Sequence, residues 1–273
     1  MKPAILIPYR NRKNHLDVFL KLVPIYLEQV NCVKDYTIYI AEQNSRDIFN
    51  LSLSRNIAAM FAMYIDRSCD YLIPHDVDVI PIENIDYDIR PYNVAWFMSA
   101  GSCKIHFDAF ERANGYDPGF VGWGGEDADF YHRLTSVGCS VVEWHKSRES
   151  RQSIICNLEI QNTSKQEMLG LSKQYFGYVD SGPRFISHAD AFPDVHIVRY
   201  DKSKDFLLPE CERKNNKLRD RVYTMPLTEK LKYIQRNGKN LVDLTAVHVK
   251  ERNKNCVWLT YDSKRALKGL SIL

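Results

Sequence analysis

The chain has 273 residues, 45% of them hydrophobic and 26% charged, so it can bury a sizeable core as one large α/β domain or two small ones. Its formal net charge of +3 is too small to indicate a nucleic-acid partner or attraction to a membrane surface. No apolar run approaches the ~20 residues of a membrane span, so the composition predicts an ordinary soluble protein and does not indicate its oligomeric state.

The first eighty residues alternate between short buried strands and amphipathic helices. Strands are predicted at residues 4–7, 36–40 and 71–73, and helical periodicity fills residues 16–27 and 53–64 between them. Three strands separated by two helices indicate parallel βαβ units, in which a sheet carries helices on both faces. The predicted fold class is therefore α/β.

The rest of the chain shows no linker that would separate independent domains. Its predicted features are a strand with an amphipathic stretch at 94–110, a glycine-rich loop at 115–125, a helix at 127–136, and later strands at 195–200 and 246–261. Residues 146–195 are polar and irregular. We therefore expect a single domain over residues 1–273, with an insertion at about 146–195.

Two carboxylates follow the third predicted strand in the segment Asp76-Val77-Asp78. In an extended segment, residues two apart point the same way, so both carboxylates can face one ligand. In α/β sheets, ligands bind at the carboxyl ends of strands. Carboxylate oxygens suit Mn²⁺ or Mg²⁺, which bridges the diphosphate of a nucleotide. An acidic turn after a strand is the alternative that this pattern leaves open.

A second segment, GWGGED at residues 122–127, precedes a predicted helix. Its glycines let the backbone approach a ligand closely, and Trp123 offers a flat face on which a sugar can stack. Glu126 and Asp127 then fall at the helix N-terminus, where the helix dipole also favours carboxylates. Capping of the helix is therefore the alternative, although capping alone does not require the glycines and the tryptophan.

A third segment, Pro8-Tyr9-Arg10-Asn11-Arg12, places two guanidinium groups and an amide after the first predicted strand. Arginine pairs with phosphate through two parallel hydrogen bonds, which would suit a nucleotide diphosphate. A solvated basic loop is the alternative. The same two readings, a solvated surface or a phosphate contact, apply to the basic run at residues 213–217.

Taken in order, IPYRNR, HDVDVIP and GWGGED resemble the β-1,4-galactosyltransferase family, glycosyltransferase family 7. The resemblance extends to residues 36–43, Phe49-Asn50, residues 113–116 and the segment at 237–241. It implies a GT-A type, Rossmann-like mixed sheet flanked by helices. It also implies an inverting enzyme that moves a hexose, with galactose or N-acetylgalactosamine favoured, from a UDP-sugar donor to a glycan acceptor.

The resemblance also implies roles for individual residues, with Asp127 as the general base beside Glu126. The implied donor-binding residues are Pro8, Arg10, Asn11, Arg12, Asp76, Val77, Asp78 and Trp123. The implied acceptor-binding residues are Trp123, Gly124, Gly125, Glu126 and Asp127. The implied ligands of Mn²⁺ or Mg²⁺ are Asp78 and His196, with His145 as the alternative to His196.

Three departures from the family pattern leave the substrates open. Ala128 replaces an aspartate that helps to hold an N-acetylglucosamine acceptor, and Met98 falls where a tyrosine tunes the choice of donor sugar. Leu51 replaces the arginine that follows the Phe-Asn pair. A chondroitin-synthase-like N-acetylgalactosaminyl or glucuronyl transferase, a nucleotidyltransferase and a non-catalytic UDP-sugar-binding module are the alternative interpretations.

Seven cysteines are scattered along the chain, and no two of them form a CxxC pair. This pattern does not favour a zinc site, and it indicates reduced thiols in a cytosol-like compartment. The short apolar start, residues 1–8, lacks the cleavage site of a signal peptide. We therefore expect a cytoplasmic or soluble protein, which a bacterial or viral origin would fit.

Overall fold

A computed structural model describes residues 1–29, 33–77, 79–81, 94–99, 102–122, 124–143, 155–157 and 209–268. Within these residues the strands are β1 Pro3–Tyr9, β2 Thr37–Gln43, β3 Tyr71–Pro74, β4 Val79–Pro81, β5 Val94–Ser99, β6 Ser102–His106, β7 Ser140–Glu143, β8 Ile155–Asn157, β9 Val247–Arg252 and β10 Cys256–Tyr261. The α-helices are α1 Lys13–Gln29, α2 Leu51–Met60, α3 Phe107–Arg112, α4 Glu126–Ser136, α5 Pro209–Thr224, α6 Leu227–Arg236 and α7 Ser263–Ala266.

Eight of the described strands form one mixed sheet in the order β7-β5-β6-β3-β1-β2-β10-β9, and β4 pairs with β8 in a separate ribbon. The central strands β3, β1, β2 and β10 run parallel to one another, whereas β6 and β9 are antiparallel to their neighbours β3 and β10. The predicted parallel βαβ units are confirmed. The carboxyl ends of the four central strands therefore meet at one edge of the sheet.

Both faces of the central strand β1 are buried. Ala4 and Leu6 join the hydrophobic cluster that contains Leu53 and Ile57 of α2. Ile5 and Ile7 point to the opposite face and are also fully buried. This continuous burial explains the uninterrupted apolar run of the first strand, because a parallel strand in the middle of an α/β sheet contacts helices on both sides.

The predicted helix at residues 53–64 differs from the observed one in its last turn. The α-helix ends at Met60 and continues as a π-helical turn, Phe61–Asp66, before Arg67 adopts a left-handed conformation with φ 51°. The predicted irregular region at 146–195 lies outside the described residues except for β8. The predicted strand at 195–200 also lies outside them.

Candidate active site

His75 fixes the turn that follows β3. Its backbone N–H donates to the Leu6 carbonyl at 2.9 Å, which continues the pairing of β3 with β1. Its ring is buried against Phe19, with centroids 5.2 Å apart, and Nδ1 lies 2.9 Å from the Asp76 carbonyl oxygen. Burial lowers the pKa of His75 to about 4, so the imidazole is neutral at physiological pH. Asp76 therefore follows a buried, neutral histidine that holds the turn against β1.

A single guanidinium group joins Asp76 to Asp127. Arg55 Nη2 donates to Asp76 Oδ1 at 2.9 Å, and Arg55 Nη1 donates to Asp127 Oδ1 at 2.6 Å. The Arg55 side chain is 1% exposed, whereas those of Asp76 and Asp127 are 31% and 42% exposed. The buried arginine therefore pairs with two partly exposed carboxylates. The fold thus brings Asp76 and Asp127, which are 51 positions apart in the chain, into one site.

The ionisation of this group follows from its burial and charges. Burial disfavours the charge on Arg55, but Asp127, Tyr116 and Asp76 outweigh it and hold the pKa of Arg55 well above its ordinary value. Burial raises the pKa of Asp76, an effect that Arg55 opposes and Asp127 reinforces. Arg12 also opposes it, so this predicted donor-binding residue acts electrostatically on Asp76. The structure therefore supports a cationic bridge between the two carboxylates.

The glycine-rich turn delivers Glu126 and Asp127 to the start of α4. Gly124 and Gly125 adopt left-handed backbone conformations, with φ of 95° and 90°, which other residues adopt only with strain. A Cβ atom on Gly125 would also come within 2.9 Å of the Phe120 ring. Glycine at 125 therefore serves both the turn and the close packing behind it.

Glu126 differs from Asp127 in its environment. It is 7% exposed. Burial, reinforced by the charge on Asp127, raises the pKa of Glu126 to about 8. The Glu126 carboxyl group is therefore protonated at neutral pH in the ligand-free chain, while Asp127 forms an ion pair with Arg55. Adjacent carboxyl groups in different environments are a common arrangement where one acts as a base and the other donates a hydrogen bond.

Asn50 connects α2 to the glycine-rich turn. Its Oδ1 accepts from the Leu53 N–H at 2.9 Å and so caps α2, and its Nδ2 donates to the Pro118 carbonyl at 2.8 Å. The Gly122 N–H donates to the Phe49 carbonyl at 3.0 Å beside this contact. The start of the helix that carries Arg55 is thus held against the segment that leads to Asp127.

The other predicted residues, at the end of β1 and just after it, lie at the same edge of the sheet. Pro8 is a buried residue of β1, and Asn11 is exposed with a left-handed φ of 52°. Arg10 is 8% exposed, donates to the Asp47 carbonyl, and packs its guanidinium 5.4 Å from the centroid of the Phe49 ring. Arg10 therefore supports the loop after β2, and its predicted contact with the nucleotide stays a prediction.

Asp78, Trp123, His145 and His196 lie outside the described residues, so their predicted roles stay predictions. Within the part of the chain that the structure describes, no group of three or more His, Cys, Asp or Glu side chains could hold a metal ion. The carboxyl groups that the site does present at residues 76 and 127 are hard oxygen donors, and this donor chemistry fits Mn²⁺ or Mg²⁺.

Sequence reasoning missed Arg55 and the helices α5 and α6. Arg55 follows Leu51 by four residues on one helix face, but this spacing alone does not mark an arginine as part of a site. The basic run at 213–217 lies on α5, where Arg213, Lys214 and Lys217 are exposed as the solvated-surface reading predicts. Asn215 within it is buried, and its Nδ2 donates to the Val121 carbonyl at 3.0 Å.

The mixed sheet, flanked by helices, is a GT-A-type fold. Two crystal structures of Drosophila β1,4-galactosyltransferase 7, one of them of its catalytic domain, share the fold over 96% of this chain and 94% of theirs, with TM-scores of 0.57 and 0.58 at 16% and 17% identity. One contains xylobiose, and the other is a variant in complex with manganese, UDP-Gal and xylobiose.

Sequence comparison identifies the family. The model of the N-terminal region of glycosyl transferase group 7 matches residues 1–89, and that of the N-terminal domain of galactosyltransferase matches residues 86–155. Pig β-1,4-galactosyltransferase 5 is 33% identical over 51% of this chain and 39% of its own length. A β-1,4-N-acetylglucosaminyltransferase from the snail Lymnaea stagnalis is 32% identical over 50% of this chain and 30% of its own.

The chain belongs to glycosyltransferase family 7, the β-1,4-galactosyltransferase family, and the predicted family and fold are confirmed. It spans less than half the length of the curated relatives described above.

The predicted cytoplasmic location and bacterial or viral origin are wrong, because the relatives include β-1,4-galactosyltransferases from pig, mouse, rat and human. Among the described helices, none is long and apolar enough to cross a membrane. Cys69, Cys103, Cys139 and Cys256 are free thiols in the described part of the chain.

Proposed function

We propose that the chain is an inverting, metal-dependent glycosyltransferase that moves a hexose from a UDP-sugar to a hydroxyl group of a glycan acceptor. The observation that carries this proposal is the pairing of Asp76 and Asp127 through the buried Arg55, with distances of 2.9 and 2.6 Å. It unites an acidic turn at the carboxyl end of β3 with the first turn of α4, so residues suited to a donor and to an acceptor lie side by side. Galactose and N-acetylgalactosamine are the proposed donor sugars.

On the donor side, Asp76 and Arg12 lie at the edge of the sheet where the nucleotide of the donor is expected. The divalent metal, held by Asp78 with His196 or His145, would neutralise the charge that develops on the departing UDP. Arg12 is a cation near Asp76 and would add to the binding of the diphosphate. The Drosophila variant structure that contains manganese, UDP-Gal and xylobiose supports this assignment by analogy of fold.

On the acceptor side, Asp127 would act as the general base. It takes the proton from the acceptor hydroxyl as that oxygen attacks the anomeric carbon, and the bond from the anomeric carbon to the phosphate oxygen of UDP breaks. One displacement inverts the configuration, so no covalent enzyme intermediate forms. Glu126 is protonated at neutral pH and would donate a hydrogen bond to a sugar oxygen instead of accepting a proton.

We also propose that residues 1–273 form a single domain. Strand β10, near the end of the described chain, pairs in parallel with β2 over six residue pairs from Cys256↔Ile38 to Tyr261↔Gln43. The polypeptide thus returns to the same sheet that its first strand begins. The role of residues 146–195 as an insertion within this domain belongs to the same proposal.

The experiment is a UDP-release and product assay with UDP-galactose, UDP-N-acetylgalactosamine, UDP-N-acetylglucosamine and UDP-glucuronic acid, each with and without Mn²⁺. Acceptors include β-xylosides and β-N-acetylglucosaminides, chosen from the ligand and activity named for two similar proteins. We expect Mn²⁺-dependent transfer that Asp127→Asn lowers by about 10²–10⁴-fold. Asp220→Asn, an exposed aspartate on α5, is the matched control and should leave the rate unchanged.

Each outcome bears on a different part of the proposal. Transfer from UDP-N-acetylglucosamine alone would replace the proposed donor sugar but keep the reaction class. Binding of a UDP-sugar without transfer to any acceptor would favour the non-catalytic binding module. An Asp127→Asn variant as active as the wild type would exclude Asp127 as the base.

A further inference from the structure

Arg55 is a charged residue in a stretch of α2, residues 52–59, that is buried on all sides. Its neighbours on α2, Leu53 and Ile57, are fully buried in the hydrophobic cluster, and the Arg55 side chain is itself 1% exposed. Burying a guanidinium group costs free energy unless charged partners compensate it. Both charged partners of Arg55, Asp76 and Asp127, are residues of the proposed active site. The free energy spent on burying Arg55 is therefore offset by residues of this site.

The guanidinium group is held in a defined orientation. Its Cζ lies 4.9 Å from the centroid of the Tyr116 ring, and that ring stacks on Phe130 with centroids 4.0 Å apart and planes inclined by 21°. Phe130 belongs to α4, which also carries Asp127. The aromatic stack therefore fixes Arg55 relative to the helix that presents the proposed base.

The two hydrogen bonds use different nitrogens of one planar group. Nη1 binds Asp127 and Nη2 binds Asp76, each through Oδ1 of the carboxylate. The two carboxylates are thereby kept at a separation that the width of a guanidinium group sets. A lysine at this position would carry the same charge on a single atom and would lack this rigid fork.

The position of Arg55 on α2 explains how it reaches both carboxylates. Leu51, four residues earlier, stands where the resemblance to the family implies an arginine, and residues four apart lie on one helix face with a rise of about 6 Å. A long side chain one turn further along the same face can extend toward the same region. Arginine is thus absent at 51 and present at 55 on a shared face.

We propose that Arg55 is a positioning residue that holds the base Asp127 at a set distance from the donor-side Asp76, supplying from the second turn of α2 a guanidinium group absent at Leu51. This inference rests on the proposed function, because it assigns the two carboxylates to the two sides of one transfer reaction. Arg55 itself acts through these carboxylates and not by contact with the reacting atoms.

The experiment compares three variants, Arg55→Lys, Arg55→Leu and Leu51→Arg/Arg55→Leu, with Arg219→Lys on α5 as the matched control. The readouts are kcat, KM for the donor, the Kd for UDP with Mn²⁺, and the fraction folded from circular dichroism. Misplacement of a catalytic group by about 1 Å can lower the rate by about 10²-fold. We therefore expect Arg55→Lys to lower kcat by about 10²-fold while KM and the Kd for UDP change less than about threefold.

The double variant gives an independent readout of position. We expect Leu51→Arg/Arg55→Leu to recover at least about tenfold in kcat over Arg55→Leu, because the guanidinium group returns to the same helix face. A folded double variant with the same kcat as Arg55→Leu would contradict the idea that an arginine at 51 can take the place of the arginine at 55.

The remaining outcomes are distinguishable. An Arg55→Lys variant with wild-type kcat, or one whose loss of kcat matches its loss of folded protein, would overturn the positioning role while the wild-type reaction stands. A wild-type chain that transfers no sugar would overturn the proposed function and this inference together. Arg219→Lys should match the wild type in every readout.

Discussion

Replacement of Asn50 by alanine should destabilise the fold by removing two buried hydrogen bonds at once. Asn50 is 1% exposed, caps α2 through Leu53 and donates to the Pro118 carbonyl at 2.8 Å. Loss of an N-cap costs ~1 kcal/mol. A buried carbonyl left without a donor costs ~1–3 kcal/mol. We therefore expect Asn50→Ala to lower the free energy of unfolding by about 2–4 kcal/mol.

The assay is urea denaturation followed by circular dichroism, with the free energy of unfolding obtained by linear extrapolation. Asn50→Asp separates the two contributions, since its carboxylate still accepts from the Leu53 N–H but offers no donor to the Pro118 carbonyl. The matched control is Asn240→Ala, because Asn240 is an exposed asparagine whose Nδ2 also donates to a backbone carbonyl, at 3.3 Å. We expect that control to stay within ~0.5 kcal/mol of the wild type.

An Asn50→Ala variant within ~0.5 kcal/mol of the wild type, like its exposed control, would refute this reasoning. A change in the denaturant slope without a change in midpoint would do so as well, because it would indicate an altered unfolded state. Asn50→Asp equal to Asn50→Ala would assign the whole effect to the contact with Pro118.

Three further predictions concern the site and its supports. Between pH 5 and 8 the folded, metal-free chain keeps a proton on Glu126 that the unfolded chain releases. The free energy of unfolding should therefore fall as the pH rises, and this group contributes up to about 1.4 kcal/mol per pH unit. The Glu126→Gln variant should therefore show a flatter curve of stability against pH, and parallel curves would contradict this. Gly125→Ala should lower the melting temperature more than Gly124→Ala, because both positions have positive φ but only a Cβ at 125 comes within 2.9 Å of the Phe120 ring. Equal decreases in melting temperature would contradict this. Arg133→Met should lower the free energy of unfolding by about 3–5 kcal/mol in urea denaturation, because it leaves the buried Asp129, 2.5 Å from Arg133 Nε, without its charged partner. Removal of the exposed ion pair between Lys13 and Asp17 on α1 should lower it by less than about 1 kcal/mol.

The N-terminal half of the fold was predictable because its signals are local. The apolar run of β1, the helical stripe of α1 and the breaks after each strand lie within short windows of the sequence. The residues of α1 at 16, 19, 23 and 27 that form the stripe are buried to within 1% exposure. The parallel order of the strands then follows from the helices between them.

Arg55 was not predictable from local pattern, because its partners lie 21 and 72 positions away in the chain. The face of α2 that contains Leu53 and Ile57 indicates a core helix, and nothing in that periodicity marks one arginine as part of a site. The role of Asn50 is of the same kind. The Phe49-Asn50 pair is part of the sequence pattern that resembles the family, but the hydrogen bond from Asn50 to Pro118 depends on tertiary structure.

Helix α6 carries Leu227, Leu231 and Ile234 at helical spacing, so its sequence does contain a helical signal. Helix α5 escaped prediction because it is strongly polar, and in its described part the buried residues are Asn215 and Val222. A helix that buries so few apolar side chains has only a weak periodic signal. Similarly, the placement of β10 beside β2 depends on pairing between segments more than 200 residues apart, which no local pattern encodes.

The measurement that tests the central claim most directly is a calorimetric titration of the wild-type chain with UDP-galactose and the three other UDP-sugars of the transfer assay, each with and without Mn²⁺. We expect binding that requires the metal, at least a tenfold weaker affinity in Asp76→Asn, and an unchanged affinity in Asp220→Asn. At a ligand concentration of 100 times Kd, the same complex should add about 2.7 kcal/mol to the stability of the fold. A folded wild-type chain that binds none of the UDP-sugars in the presence of Mn²⁺ would contradict the account.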